Sequence, residues 1–303
     1  MAEDELGRKR VRTLANRFRV KPGLTVKLAR DFDPGYTADL KQTATNAQAM
    51  LASGIELLVE YQSRLAAQQV HALLVVLQGM DAAGKDSTIK HVMSGVNPQG
   101  VDVHSFKVPS AEELKHDYLW RYAAKLPARG EIGIFNRSHY EEVLAVRVHS
   151  SLLAAEHLPD GAHYRGVWQR RFQEINAWER YLVANGIHIV KLFLNISREE
   201  QRQRFLSRID RPDKNWKFTA ADVRERGYWN DYQRAYADVL TYTSTEPAPW
   251  YVIPANHKWF TRIAAAAVIA DALIRIDPQY PRVSSTQKQE LEQARKALIA
   301  EAR

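Results

Sequence analysis

The sequence contains no cysteine, which excludes disulfides, thiol nucleophiles and cysteine-ligated zinc sites. It also lacks any apolar run of the ~18–20 residues that a membrane-spanning helix needs, and its densest apolar segment, residues 264–276, is short and ends in charge. The acidic stretch at residues 1–5 has none of the apolar core of a signal peptide. These absences predict a cytoplasmic protein with no membrane contact.

The first feature that the sequence does have is an excess of basic residues. The 303 residues carry 43 lysines and arginines against 35 aspartates and glutamates, a formal net charge of +8. Such an excess favours a polyanionic partner, either nucleic acid or a chain of phosphates, although a simple basic surface gives the same total. Composition alone does not choose between these.

Short apolar runs alternate with helical patterns along the chain, which predicts a parallel sheet between two helical layers. We therefore predict an α/β fold, a three-layer αβα sandwich, in one domain at residues 36–282. Residues 1–35 are predicted to be an N-terminal arm and residues 283–303 a helical tail. The predicted strands are 72–77, 101–108, 132–135, 188–194 and 250–253, and the predicted helices are 37–69, 85–94, 111–124, 141–153, 167–184, 197–209 and 219–242.

A glycine-rich loop with the spacing Gly79-x4-Gly84-Lys85 follows the first strand and opens a helix. Glycines let several backbone N–H groups point at one anion, and the helix adds its positive N-terminus. Lys85 is predicted to reach the terminal phosphates. The alternative is a turn that happens to hold two glycines and a lysine. The substrate-binding positions predicted in this loop are Gly79, Ala82, Ala83, Gly84, Asp86 and Ser87.

Two carboxylates make this loop unusual. Asp81 lies inside it, and Asp86 stands where a serine or threonine commonly binds magnesium. Carboxylates in an anion cradle repel phosphate unless a cation lies between them. We therefore predict that Asp81, Asp86 or both face Mg²⁺.

A second polar segment, residues 136–142, follows the third strand. Because the carboxyl ends of parallel strands meet at one edge of a sheet, it is expected to face the loop. Asn136, Glu141 and Glu142 are candidates to hold a metal or its waters, and Arg137 to clamp a phosphate. Equally, Asn136 could cap the next helix while the glutamates are solvated. His139 is expected to pack or hydrogen-bond rather than to act as a base.

A third, basic segment follows the fourth strand. Arg204 and Arg208 lie four residues apart on one helix face, and the chain continues through Lys214, Trp216 and Lys217. This composition favours a lid, at about residues 204–218, that closes over phosphates. For Arg198 and Arg202, upstream on the same helix, a solvated basic face is the preferred interpretation.

With these segments the chain resembles the polyphosphate kinase 2 family, the polyphosphate-dependent nucleotide kinases. The likeness covers roughly residues 18–281, and the order and spacing of its motifs are far more specific than any one of them. The segments that carry it are GMDAAGKD at 79–86, FKVPSAEE at 106–113, HDYLWR at 116–121, FNRSHYE at 135–141 and KNWKF at 214–218.

The resemblance implies a P-loop kinase fold with a helical lid. It implies reversible transfer of phosphate between inorganic polyphosphate and AMP, ADP or ATP, with Mg²⁺ that Mn²⁺ can replace. Asp81 matches the residue that binds metal and helps to activate the acceptor phosphate, and Lys85 and Arg137 match phosphate ligands. Arg204 and Arg208 fall among the lid arginines. A homo-oligomer of two or four subunits is expected, and nucleic acid is not an expected partner.

One departure concerns the second motif. Many members of the family have Asp-Arg-Ser where this chain has Asn136-Arg137-Ser138, so the expected metal charge shifts to Glu141 or Glu142. The asparagine form, with KNWKF at 214–218, looks most like the subgroup implied to accept both AMP and ADP.

A polyphosphate donor is itself a long polyanion, so the enzyme needs basic groups beyond the loop. Transfer is expected to be in line, without a covalent enzyme intermediate. The candidates for this basic track are Lys90, Lys107, Arg121, Lys125 and Arg137. Two rival hypotheses are an ATP-dependent small-molecule kinase on the same fold and a non-catalytic nucleotide- or nucleic-acid-binding protein. The basic arm and aromatic side chains such as Trp216 support the second rival.

Overall fold

The computed structural model describes residues 2–40, 44–156, 158–159 and 166–301, with the side chains of residues 2–4, 44, 45 and 217 outside that description. A five-stranded parallel sheet with the strand order β2-β3-β1-β4-β5 forms its centre. This confirms the predicted α/β sandwich. The strands are β1 Ala72–Gly79, β2 Val101–Ser105, β3 Ile132–Asn136, β4 Ile187–Asn195 and β5 Trp250–Pro254.

Helices cover both faces of this sheet. On one face α12 packs against α1, α3 and α4, and on the other α8 packs against β4 and α11. All eight residues of β1 are buried, as expected of a strand covered on both faces. The α-helices are α1 Ala2–Asn16, α2 Leu28–Asp31, α3 Ala44–Gln68, α4 Lys85–Val92, α5 Trp120–Ala123, α6 Ala145–Val148, α7 Ser150–Ala154, α8 Val167–Ala184, α9 Arg198–Ile209, α10 Ala220–Glu225, α11 Trp229–Thr243, α12 Lys258–Ile276 and α13 Ser285–Glu301. The 3₁₀ turns are Pro98–Gly100, Glu113–Lys115, His139–Val143, Asn215–Lys217 and Arg226–Tyr228.

Three predicted helices are broken. Residues 111–124 form only a 3₁₀ turn and the short α5, because the Asp117 side chain accepts a hydrogen bond from the Leu119 N–H and so competes with the helical pattern. Residues 141–153 are interrupted at Leu144 and His149, whose backbones are not helical. The segment 219–242 changes to a 3₁₀ turn around Gly227, a residue that weakens helix interiors.

The segment predicted as an arm is packed on the domain. Ala15, Phe18 and Val20 are buried, the Val20 N–H donates to the Trp250 carbonyl at 2.8 Å, and Arg19 forms an antiparallel bridge with Tyr251. The segment therefore covers the outer edge of β5, where an exposed strand would invite pairing with another chain. At the other terminus, the predicted tail contains α13, which has no buried residue.

Strand pairing decides which loops meet. Leu77 of β1 lies opposite Asn136 of β3, and Gly79 of β1 lies opposite Leu194 of β4. The loops after β1, β3 and β4 therefore leave the sheet side by side. Across the described part of the chain, no helix combines the length and the apolar character that a bilayer crossing requires.

Candidate functional site

The loop after β1 has the backbone of an anion cradle. Ala82 and Gly84 both have left-handed conformations, with φ of 60° and 107°, and Gly84 directly precedes α4. A side chain at Gly84 would be strained there. Gly79 is closely packed, because a Cβ at this position would lie 3.1 Å from the Leu194 carbonyl oxygen.

Lys85 folds back under this loop. Its Nζ donates to the carbonyl oxygens of Gly79 at 2.6 Å and Met80 at 3.4 Å. Burial, with the positive charge of Arg137, lowers the pKa of Lys85 to about 8. The ammonium group is thus held beside the loop backbone in a setting where phosphate oxygens would stabilise its charge.

Arg137 pairs with Asp81, one of the two loop carboxylates. It has a left-handed backbone, with φ of 63°, and its guanidinium donates to Asp81 Oδ1 at 2.9 Å and to Glu141 Oε2 at 3.3 Å. The negative charges of Glu141 and Asp81 raise the pKa of Arg137. The structure therefore brings three predicted site residues together, two carboxylates on either side of one guanidinium.

A second contact joins the ends of β2 and β3 to the start of α4. The Asn136 amide nitrogen donates to Asp86 Oδ1 at 2.8 Å and to Ser105 Oγ at 3.3 Å. Among the described residues, the buried Asn136 Oδ1 has no hydrogen-bond partner. Asn136 is thus placed beside a predicted metal ligand, and its amide oxygen is available to a further donor or a cation.

Arg204 supports the loop rather than facing the cleft as a free cation. Its Nη1 donates to the carbonyl oxygens of Ala82 and Ala83, both at 2.9 Å. Its other nitrogens donate to the Ala255 and Asn256 carbonyls and to Glu200. The prediction of Arg204 as a lid residue that binds substrate is corrected here, because every one of its donors is used within the protein.

Glu142 is also corrected. It is 6% exposed and lies away from the loop, accepting a hydrogen bond from the Tyr122 hydroxyl at 2.9 Å. Burial and the charge of Glu156 raise its pKa to about 7. Arg171 approaches its carboxylate at 3.9 Å. Glu142 is therefore not placed to hold the predicted metal.

Arg121 is buried as well, against expectation for a polyphosphate track. Its guanidinium lies 3.0 Å from Glu113 Oε1 and donates to the Lys107 carbonyl at 2.9 Å. It also stacks over the rings of Phe106 and Tyr122. Arg121 thus fixes the backbone that carries Lys107, whose own side chain is exposed.

The predicted lid is open to solvent at its tip. Arg208 is half-buried with its guanidinium over the Phe205 ring, and Lys214 is exposed. The Phe218 ring packs against Phe205. Lys217 lies in a 3₁₀ turn, but its side chain is outside the described part of the structure. Arg208 and Lys214 remain available as phosphate ligands.

Several lining residues were missed by sequence reasoning. Gln201 donates to the Asp81 carbonyl at 2.9 Å and accepts from Arg226 at 2.7 Å, so α9 and the segment after α10 are tied to the loop. No local pattern identifies these residues, which lie more than a hundred positions from Asp81. They line a cleft together with Asp81, Arg137, Glu141, Asp222, Glu225, Tyr232 and Tyr236.

Carboxylate oxygens in and beside the cleft are possible ligands for a cation, but few of them lie close to one another. Within the described ranges, no three histidine, aspartate or glutamate side chains form a ready metal site. Mg²⁺ commonly takes only one or two protein carboxylates and completes its shell with substrate phosphates and water. Asp81, Glu141 and Asp86 fit that requirement, and Glu142 does not.

Comparisons with known proteins agree on one family. A family model described as Polyphosphate kinase 2 matches residues 40–281. An ADP-polyphosphate phosphotransferase of Rhodopseudomonas palustris is 46% identical, over 93% of this chain and 97% of its own. An AMP/ADP-polyphosphate phosphotransferase of Meiothermus ruber is 45% identical, over 88% and 95%. The crystal structure of Polyphosphate Kinase 2 from Arthrobacter aurescens superposes with a TM-score of 0.83 at 39% identity, covering 95% of this chain and 96% of that one.

Proposed function

The chain belongs to the polyphosphate kinase 2 family, and we propose that it is a polyphosphate-dependent nucleotide kinase. It transfers a phosphoryl group from inorganic polyphosphate to AMP and to ADP, and the reaction is reversible. The names of its relatives, which include an ADP- and an AMP/ADP-polyphosphate phosphotransferase, support both acceptors. The asparagine form of the second motif supports the dual specificity.

One observation carries this proposal: the phosphate loop with Lys85 opens onto the cleft where Arg137 meets Asp81 and Glu141. Donor phosphates bind the loop N–H groups and Lys85. Arg137 exchanges part of its contact with the carboxylates for phosphate oxygens and stabilises the charge of the transferring group.

Transfer is in line. A P–O bond to the polyphosphate chain breaks as a bond to a nucleotide phosphate oxygen forms, so the donor leaves one phosphate shorter. No side chain becomes phosphorylated. Binding supplies the alignment that makes the two oxygens and the phosphorus collinear.

Asp81, Glu141 and Asp86 would hold Mg²⁺, or Mn²⁺ in its place. Such an ion would supply positive charge that offsets the repulsion between these carboxylates and the substrate phosphates. The Asn136 amide donates a hydrogen bond to Asp86 and so fixes the position of that carboxylate.

The polyphosphate tail beyond the loop meets exposed cations. Lys107, Arg208 and Lys214 are the candidates, and the net charge of +8 favours a long polyanion. A cytoplasmic location and a homo-oligomeric state remain predictions from the sequence and from the resemblance.

The test is an assay of AMP with polyphosphate and Mg²⁺, without ATP, in which ADP and ATP are separated by chromatography. Both products are expected, and EDTA should abolish them while excess Mn²⁺ restores them. Lys85→Ala should lower kcat by about 10²–10³-fold. Lys288→Ala, on the exposed α13, is the matched control and should retain full activity.

The rival hypotheses give different outcomes in this assay. Phosphorylation of a small molecule by ATP, with no product from polyphosphate of any length, would identify an ATP-dependent kinase. Salt-sensitive binding of polyanions without turnover, weakened by Lys85→Ala, would identify a binding protein.

A further inference from the structure

A network of fully buried polar side chains lies behind the cleft, between β4 and α8. Lys191 on β4, Glu179 on α8 and His139 each have 0% exposure, as does Tyr140 next to His139. None of these groups lines the cleft. Their burial calls for a reason, because removing two charges from water costs several kcal/mol per ion.

The network is fully connected around the ion pair. Lys191 Nζ donates to Glu179 Oε2 at 2.6 Å, to the Tyr140 hydroxyl at 2.9 Å and to the Thr243 carbonyl at 2.7 Å. Glu179 Oε1 accepts from the Tyr140 hydroxyl at 2.8 Å and lies 3.2 Å from His139 Nε2. Because Glu179 Oε1 is an acceptor, the Nε2–H of His139 is the donor in this contact.

Two of these partners belong to the 3₁₀ turn His139–Val143, which connects directly to the cleft. Arg137 lies two residues before His139, and Glu141 follows Tyr140. Ser138 locks the turn, since its hydroxyl accepts from the Tyr140 N–H and its carbonyl from the Glu141 N–H. The side chains of Arg137 and Glu141 then meet at 3.3 Å on the cleft side.

Stability alone does not explain this arrangement. Apolar side chains of similar volume often stabilise a core as well as a buried ion pair does. An apolar pair, however, offers no hydrogen bonds that could fix the rotation of the turn, which begins two residues after Arg137. The specific hydrogen bonds to His139 and Tyr140 do fix it.

We infer that Lys191 and Glu179 are positioning residues, which hold the His139–Val143 turn so that Arg137 and Glu141 face the phosphate loop. This inference rests on the proposed function for its kinetic consequences. Under this inference, full kinase activity also requires two buried residues that do not contact the substrate.

Two double variants isolate the hydrogen bonds from the charges. Glu179→Leu with Lys191→Met removes the ion pair and the acceptor for the turn. Glu179→Gln with Lys191→Met removes the same charges but keeps an amide oxygen for His139 and Tyr140. In the assay with AMP and polyphosphate, the Leu/Met protein should lose about 10–100-fold in kcat, with KM for AMP changed less than about threefold. The Gln/Met protein should recover most of that loss.

Hydrogen–deuterium exchange gives a readout that does not need activity. Peptides covering residues 136–143 should exchange faster in the Leu/Met protein than in the Gln/Met protein. Asp271→Asn is the control, because Asp271 is equally buried and lies 2.8 Å from Arg275 but is on α12. It should lower stability without changing kcat or exchange in the turn.

Equal kcat in the wild type and the Leu/Met protein, or equal exchange of the turn in the two double variants, would overturn the inference. If the Leu/Met protein does not fold, Tyr140→Phe takes its place, and it should raise exchange in the turn and lower kcat by a smaller factor. A wild-type protein inactive with polyphosphate would refute the proposed function, while the exchange data would still decide the inference.

Discussion

Arg204 and Arg208 lie one helical turn apart on α9, yet they meet different surroundings. Arg204 is 9% exposed and donates to carbonyl oxygens in the loop and after β5, including those of Ala82 and Asn256. Arg208 contacts the Phe205 ring and is otherwise turned to solvent. The first therefore supports the loop, and the second is free to meet phosphate.

This contrast predicts opposite effects for two matched substitutions. Arg204→Met should cost roughly 3 kcal/mol of unfolding free energy, because several buried carbonyl oxygens lose their donor. Arg208→Met should change stability by no more than about 0.5 kcal/mol but lower kcat with polyphosphate about 10²-fold. Urea denaturation and steady-state kinetics measure the two quantities. Equal losses of stability, or full activity in the Arg208 variant, would contradict these roles.

At the scale of elements, Glu142 joins the 3₁₀ turn to α5 and α8. Its carboxylate accepts from Tyr122, and its carbonyl accepts from Arg171 on α8 at 2.8 Å. Burial, then the charge of Glu156, raises its pKa from 4.5 to about 7. The folded protein thus binds a proton here that the unfolded chain has released between these two values.

The sign of the resulting pH effect follows from that difference. The contribution of protonated Glu142 to stability is complete below pH 4.5 and is lost as the pH rises through 7. Glu142→Gln has no proton to lose, so its stability relative to wild type should rise between pH 5 and pH 8, by at most about 3 kcal/mol. Urea denaturation across this range is the measurement. A difference that does not vary with pH would disprove the assignment, and Glu290→Gln on the exposed α13 should show none.

At the scale of the whole molecule, the two terminal segments differ in how extensively they pack against the domain. The first twenty residues bury Phe18 and Val20 and cover the edge of β5. The Val20 carbonyl also accepts from the Ser244 hydroxyl at 2.7 Å. By contrast, α13 has no buried residue.

Two truncations should therefore behave differently. A chain that begins at Lys21 loses the buried Phe18 and Val20 side chains, and it should be less stable by more than about 3 kcal/mol. A chain that ends at Val283 should keep its stability within about 0.5 kcal/mol. Thermal unfolding compares both with the full chain. A short form from Lys21 as stable as the full protein would show that the N-terminal segment is a separate arm after all.

The sequence predicted best those helices and strands that are specified by residues close together in the chain. All five strands and the helices α4, α8 and α9 occur close to the predicted positions, because buried strands and capped helices are encoded by neighbouring residues. The Thr219 capping box is also present. The predicted helix at 111–124 was wrong, since the Asp117 side chain accepts a hydrogen bond from the Leu119 N–H, and this outweighed helix propensity there.

The sequence by itself determined the glycine-rich loop and the parallel αβα fold, because glycine spacing and alternating apolar runs act over a few residues. The order and spacing of its motifs along the chain also identified the family. Only the tertiary structure decided where the charged side chains point. Glu141 and Glu142 are adjacent in sequence, yet in a 3₁₀ turn consecutive side chains diverge by roughly 120°. One therefore reaches Arg137 in the cleft and the other is buried against Tyr122. Likewise, Arg204 and Gln201 meet the loop only because β4 pairs with β1 and carries α9 to it.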